Sequence, residues 1–151
     1  MSEHTVPGPH IPPKPTPRTP TFDGLISQLE SAIAPMWGMS LDIAILMGWQ
    51  YKPSGRGWAT YINPDGAAAG MPLDYTASLD HALTLVAPPG HQLWTWKIKA
   101  MLRGGVTLHT HLAEIMVPSR EWQGYGRTPA LAMCAAAMRM RRDLSAPKEA
   151  A

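Results

Sequence analysis

Apolar residues recur at helical spacing in four stretches of the chain and alternate with polar ones in three others. Leu25, Ile26, Leu29 and Ile33 predict a first helix over Thr21 to Ala34, which Pro35 ends. Ser40 is the expected cap of a short second helix carrying Leu41, Ile43, Ala44, Ile45 and Met47. Gly48 suits a left-handed residue at its end, and Trp49 follows as a core wedge. A third helix is expected from Tyr75 to Val86, capped by Thr76 or Ser78, with Asp80 in its first turn and Leu79, Ala82, Leu83 and Val86 as the buried stripe. Pro88-Pro89-Gly90 stops it.

The last helix has the clearest signals. Thr128 caps, Pro129 takes the first position, and Ala, Leu and Met fill the body through Met140. It is apolar nearly all round, so it must be covered on more than one side. Arg139, Arg141 and Arg142 lie at the negative end of its dipole and mark an expected exit to solvent.

Period-two alternation marks the strands. Trp58, Thr60 and Ile62 suggest a short one, followed by the turn Asn63-Pro64-Asp65-Gly66. Trp94, Trp96, Ile98 and Ala100 alternate with Thr95, Lys97 and Lys99. Arg103-Gly104-Gly105 turns the chain into a return strand from Val106 to Val117, closed by Pro118. Gly124, Gly126 and their polar neighbours read as a lead into the last helix. Two or three antiparallel strands need helices against them. The expected fold is therefore α+β, a three-layer α/β/α sandwich with a small, mainly antiparallel sheet.

Composition narrows the setting. An apolar fraction of 45% with 16% charged residues suits a globular domain, placed at residues 21–143. Seven prolines within residues 1–20 exclude helix and inner strand there, so a disordered or polyproline-like arm is expected. In it, Pro12-Pro13-Lys14-Pro15 has the form of a docking motif for an aromatic groove, but a plain spacer, or an arm packed on a partner subunit, is the favoured reading. Residues 144–151 are expected to fray. A net charge of +2 is too small to imply an extended nucleic acid partner. No apolar run is long enough for a membrane helix, and the proline-rich start lacks the form of a secretory signal. Cys134 is the single cysteine, read as core packing in a reducing cytoplasm.

Three blocks carry a family resemblance. They are Leu41-Asp42-Ile43-Ala44-Ile45 with Gly48-Trp49; Tyr75-Thr76-Ala77-Ser78-Leu79-Asp80 with Ala82 to Val86 and Pro89-Gly90; and Arg127-Thr128-Pro129-Ala130-Leu131-Ala132 with Cys134-Ala135-Ala136. Together they resemble the phage "ABA sandwich" domain proteins, with NinX-type phage proteins as more distant likenesses. The resemblance spans about residues 25–142 and implies the three-layer sandwich, a phage origin and the host cytoplasm. It implies no shared activity, cofactor or metal.

Candidate chemistry follows from placement. His109 and His111 stand two apart on a strand and share a face, which suits two metal ligands if a third exists, or else a polar pocket wall. Ser78, Asp80 and His81 have catalytic identities, but neighbours on a helix diverge and capping explains the first two. The favoured site uses two expected helix starts, Tyr75-Thr76 and Arg127-Thr128, whose free N–H groups suit phosphate or carboxylate. Arg127 adds a bidentate donor, and Tyr75, Tyr125, Trp94 and Trp96 add stacking faces. The expected ligand-binding set is Arg127, Thr128, Tyr75, Thr76, Tyr125, Trp96, His109 and His111, with no cofactor. Three functions follow: a non-enzymatic binding protein that sequesters a nucleotide-derived immune signal; a protein-interaction or structural accessory protein, as a homo-oligomer; and a metal-dependent hydrolase.

Overall fold

The computed structural model describes residues 19–53, 59–68, 70–87, 93–101 and 110–145. Four helices and five strands follow in the order α1 (Phe22–Ser31), α2 (Trp37–Leu46), β1 (Gln50–Pro53), β2 (Ala59–Ile62), α3 (Leu79–Leu83), β3 (Thr95–Ala100), β4 (His111–Val117), β5 (Arg120–Gly126) and α4 (Pro129–Ser145). The fold is α+β, and every strand pairing among the described residues is antiparallel. β1 and β2 form a separate hairpin, and β3, β4 and β5 form a sheet in that order.

α4 organises the molecule. Each residue from Ala130 through Met138 is buried, so about two and a half turns lie inside protein on every side. The three-stranded sheet covers one flank, while α1 and α3 cover the others. The layers thus run sheet, α4, then α1 and α3. Among the described residues the helix, not the sheet, is the middle layer. The opposite face of the sheet carries Lys97, Lys99 and Glu114, with Glu114 reaching Lys97 at 3.2 Å and Lys99 at 3.7 Å.

Side-chain size explains the stacking. On the α4 side, β4 presents Ala113, Ile115 and Val117, and β5 presents Trp122, Gly124 and Gly126. A Cβ on Gly124 would strike the Ala132 carbonyl and the Ala136 amide, and would lie 2.8 Å from the Ala135 carbonyl carbon. One on Gly126 would lie 2.9 Å from the Leu131 carbonyl carbon. Backbone therefore meets backbone, and alanines on α4 complete the fit. Residues 120–126, expected as a lead into the helix, are instead a full strand, joined to β4 by a turn at Pro118-Ser119. Two glycines disguise it as a loop, because glycine weakens a strand unless another backbone approaches closely.

Local capping matches expectation in several places. Thr21 Oγ1 accepts from Gly24 N at 3.1 Å, Thr128 Oγ1 from Leu131 N at 3.1 Å, and Ser78 caps α3. Asn63 Oδ1 accepts from Asp65 N and Ala67 N at 3.0 Å each, fixing the predicted turn, and Gly66 takes φ 88°. Gly48 closes α2 at φ 103°.

Other expectations are corrected. Ser40 lies inside α2 and is fully buried; Met36 holds the cap position without a capping side chain. The third helix is only Leu79–Leu83, and Tyr75 and Thr76 belong to the turn before it. Ile33 lies beyond the end of α1 and is exposed. The expected exit to solvent at Arg139, Arg141 and Arg142 is instead a set of clamps. Arg139 holds Glu30, Arg141 donates to the Leu85 carbonyl at 2.9 Å, and Arg142 meets Asp23 at 2.8 Å. Trp58, Pro88-Pro89-Gly90, Arg103-Gly104-Gly105, the strand segment from Val106 through His109, the arm at 1–18 and the tail from 146 lie outside the described residues.

The backbone contact sets a stability test. Gly124→Ala should lower unfolding free energy by about 3 kcal/mol in urea titration, because neither backbone can retreat alone. Gly66→Ala meets nothing within 4 Å and should cost about 1 kcal/mol, for its positive φ only. Equal losses at the two sites would contradict the close approach.

Candidate functional site

The expected ligand-binding residues do not form one site. Tyr75 is 5% exposed and Thr76 0%, so neither offers its side chain to solvent. Thr76 belongs to a buried latch: Ser40 Oγ donates to Asp74 Oδ1 at 2.8 Å, Thr76 N donates to Ser40 Oγ at 3.1 Å, and Thr76 Oγ1 donates to the Met36 carbonyl at 3.2 Å. This ties the loop before α3 to the start of α2, which supplies no cap of its own. The Tyr75 carbonyl accepts from Cys134 Sγ at 3.3 Å, anchoring the same loop to α4.

Arg127, Thr128 and His111 do meet, at the start of α4. Thr110 Oγ1 donates to the Arg127 carbonyl at 2.8 Å and lies 2.8 Å from His111 Nδ1. Trp96 is level with Ile115, four residues along β4 from His111, so it sits about 13 Å up the sheet from that cluster. Tyr125 alternates away from Gly124 and Gly126 and faces a different cleft. His109 lies outside the described residues. Thr128 is occupied as a helix cap, which leaves a helix end with ordinary satisfaction.

Tyr125 lines an open cleft at the β5 edge with Gln123, Arg139, Arg142 and Asp143. Its charges are matched internally. Glu30 accepts from Tyr125 N at 3.0 Å and from Arg139 Nη2 at 2.7 Å, while Arg139 Nη1 donates to the Gln123 carbonyl at 2.9 Å. Asp143 accepts from Arg120 at 3.0 Å and from the Trp122 indole at 3.1 Å. The Glu30–Arg139 pair thereby satisfies the outward N–H and C=O of β5, groups through which an edge strand would recruit another chain. This cleft is edge protection built from ion pairs.

Ser78 Oγ accepts from His81 N at 3.4 Å, so it acts as a cap beside His81. Among the described residues, no three His, Cys, Asp or Glu side chains gather to hold a metal ion. No helix among them is long and apolar enough to cross a membrane.

A different site stands out, between α2 and the β1–β2 hairpin. Trp49, Tyr51 and Tyr61 wall a cleft of about 110 Å³, with Leu41, Ala44, Ile45 and Pro72 below and Gln50 at its side. Tyr51 and Tyr61 face each other across the hairpin ladder, ring centroids 5.6 Å apart and tilted by 58°. Met71 and Leu73, on either side of buried Pro72, are 61% and 39% exposed. Helix periodicity supplies Leu41, Ala44 and Ile45 to this site; Trp49 packs against the core as expected and lines the cleft as well, while β1 is not foreseen. The available signal was Trp49-Gln50-Tyr51 with Tyr61, an aromatic alternation interrupted by a Gly- and Pro-rich loop.

Cys134 yields a pH test. Burial pushes its thiol far above the ordinary value of 9.0, with Asp74 adding to the effect, and burial raises Tyr75 above 10.0. A folded pKa above the unfolded one gives stability that is complete at low pH and lost as pH rises. Above pH 9.0 the unfolded chain sheds the Cys134 proton while the folded one keeps it. Stability should fall by about 1.4 kcal/mol per pH unit there. Cys134→Ala should remove most of that slope, and the native thiol should resist alkylation until the protein is unfolded; prompt modification at pH 8 would contradict the burial.

In comparisons with known proteins, no family model, no curated protein and no solved structure matches the chain.

Proposed function

We infer that this is a binding protein whose recognition surface is the aromatic cleft of Trp49, Tyr51 and Tyr61, and that its ligand is an extended, proline-rich peptide segment. The observation that carries this reading is the cleft itself: three aromatic rings beside the aliphatic side chains of Leu41, Ala44, Ile45 and Pro72. Polyproline helices dock in such aromatic-lined grooves because their backbone is pre-extended and little entropy is lost on binding. The tyrosine rings pack on each other at 5.6 Å and present a joint apolar wall on which proline rings can stack. A phage accessory protein acting on a host partner, the setting implied by the resemblance, is compatible with this role.

A nucleotide-derived ligand has less support. Tyr75 and Thr76 point into the core, and Arg139 and Arg142 are engaged by Glu30, Asp23 and Asp143. A phosphate would fall to Arg127 and the start of α4, with Trp96 about 13 Å up the sheet and Tyr125 facing another cleft.

A ten-residue proline peptide, titrated into the chain carrying Pro9→Ala, Pro12→Ala and Pro15→Ala so that its own prolines do not compete, tests the reading. The Trp49 indole N–H resonance should shift saturably, and Tyr61→Ala or Ile45→Glu should weaken binding by about tenfold or more while the far-UV spectrum is retained. A flat titration would sink the peptide reading. Parallel addition of ADP-ribose and a cyclic dinucleotide, with shifts at Arg127 and His111 instead, would move recognition to the start of α4.

A further inference from the structure

We propose that the outer edge of β3 docks an extended peptide segment in which apolar and acidic residues alternate, added to the sheet as a further strand antiparallel to β3. This surface is separate from the aromatic cleft of the hairpin and does not depend on it.

The two edges of the sheet are built differently. In an antiparallel ladder, alternate residues bond to the neighbouring strand and the residues between them point away from it. Met101 N donates to the Thr110 carbonyl at 2.7 Å. Continued along the register, with Lys99 opposite Leu112 and Lys97 opposite Glu114, this turns the N–H and C=O of both lysines toward β4. The N–H and C=O of Trp96, Ile98 and Ala100 therefore point off the sheet. On β5 the corresponding outward groups are taken, since Glu30 accepts from Tyr125 N and Arg139 donates to the Gln123 carbonyl. Among the described residues, no strand lies beyond β3 and no such cover reaches its outward groups. Strand addition uses groups of this kind for affinity and alternate side chains for choice of partner.

The side chains of β3 define that partner. Trp96 and Ile98 lie on the α4 side, opposite Ile115 and Ala113. Ile115 and Ala113 are fully buried, but Trp96 is 40% exposed and Ile98 is half-buried, because α4 packs mainly on β4 and β5. Apolar residues on an added strand would extend the covered layer over both. On the other face, Lys97 and Lys99 share one buried carboxylate, Glu114, at 3.2 Å and 3.7 Å. Two cations against one anion leave positive charge at the edge. A carboxylate opposite Lys99 would pair the lysine that Glu114 holds less closely, and another opposite Lys97 would complete a ladder of alternating charge.

The same lysines disfavour a second copy as occupant. Two β3 strands paired antiparallel about Ile98 would set Lys97 of each copy opposite Lys99 of the other, and like charges directly opposite are destabilising. A nucleotide fits no better, because the Trp96 ring and the two cations lie on opposite faces of the strand.

Amide hydrogen exchange of the full-length, isotope-labelled chain tests the proposal, with an eight-residue peptide of alternating valine and glutamate as the probe. In the free chain the amides of Trp96, Ile98 and Ala100 should exchange readily, while those of Lys97 and Lys99 exchange slowly. The peptide should slow the first three. Lys97→Gln with Lys99→Gln should weaken its binding by about fivefold, and a peptide with lysine in place of glutamate should not bind. Ile98→Pro removes an N–H that takes no part in the β3–β4 ladder, so it should keep slow exchange at Met101 and lose the peptide. If that variant does not fold, the exchange pattern and the two-glutamine variant decide alone. Unchanged exchange at the three amides in millimolar peptide would overturn the proposal, as would slow exchange there in the dilute free chain. Slowing that grows with protein concentration without peptide would make a second copy the occupant. Perturbation confined to Trp49, Tyr51 and Tyr61 would place the peptide in the hairpin cleft, and the edge proposal would fall.

Discussion

The structure depends on how closely α4 and β5 approach. Gly124 and Gly126 remove side chains from the sheet, and Ala132, Ala135 and Ala136 nearly remove them from the helix. With the two backbones in contact, α4 sits low enough on the sheet for its opposite flanks to be covered by α1 and α3. A larger residue at either glycine would lift the helix and open both interfaces together. Trp122 shows the same logic from the other side. Two residues from Gly124 on the same face, it fills the wider gap toward the end of α4 and ties down with its indole N–H on Asp143.

A helix buried on all sides leaves little surface for polar anchoring, so its anchors concentrate at the C-terminal end. Arg139, Arg141 and Arg142 each hold a different part of the chain: α1 with the β5 edge, the carbonyls after α3, and the start of α1. Burial lowers the Arg141 pKa, while Asp23 and Asp143 raise that of Arg142. Exposed pairs of this kind contribute little one at a time. The Glu30–Arg139 pair matters more, because it also satisfies two backbone groups of an edge strand.

What the chain discloses by itself follows from this division. Features set by neighbours in sequence are legible: the Thr128 cap, the Asn63 turn, Gly48 at the end of α2, and the all-round apolar body of α4. Features set across the fold are not. Ser40 has the chemistry of a cap but spends its hydroxyl on Asp74 and Thr76, which lie over thirty residues away. Gly124 and Gly126 look like loop residues until the helix that requires them is in place. The arginines look like a solvent exit until Glu30 and Asp23 arrive. The expected ligand set fails for the same reason. It assumed that Tyr75-Thr76 opens a helix, whereas the latch through Ser40 turns those residues inward.

The recognition surface belongs where this dense framework ends. Around α4 nearly every apolar face is covered and the cations at its far end are matched, so a ligand there would have to break existing contacts. The β1–β2 hairpin is different. Among the described residues it pairs with no other strand, and its two tyrosines line a cleft with Trp49, Leu41, Ala44 and Ile45. A two-stranded ribbon is marginal alone, so its aromatic residues must lie against something. They do so incompletely, leaving an apolar slot where the hairpin meets the helix. A proline-rich segment is a fitting complement, since it needs no partner strand for its backbone and brings rings to a site made of rings. The same residues that form the hairpin therefore wall an apolar cleft in which rings rather than ion pairs meet a ligand.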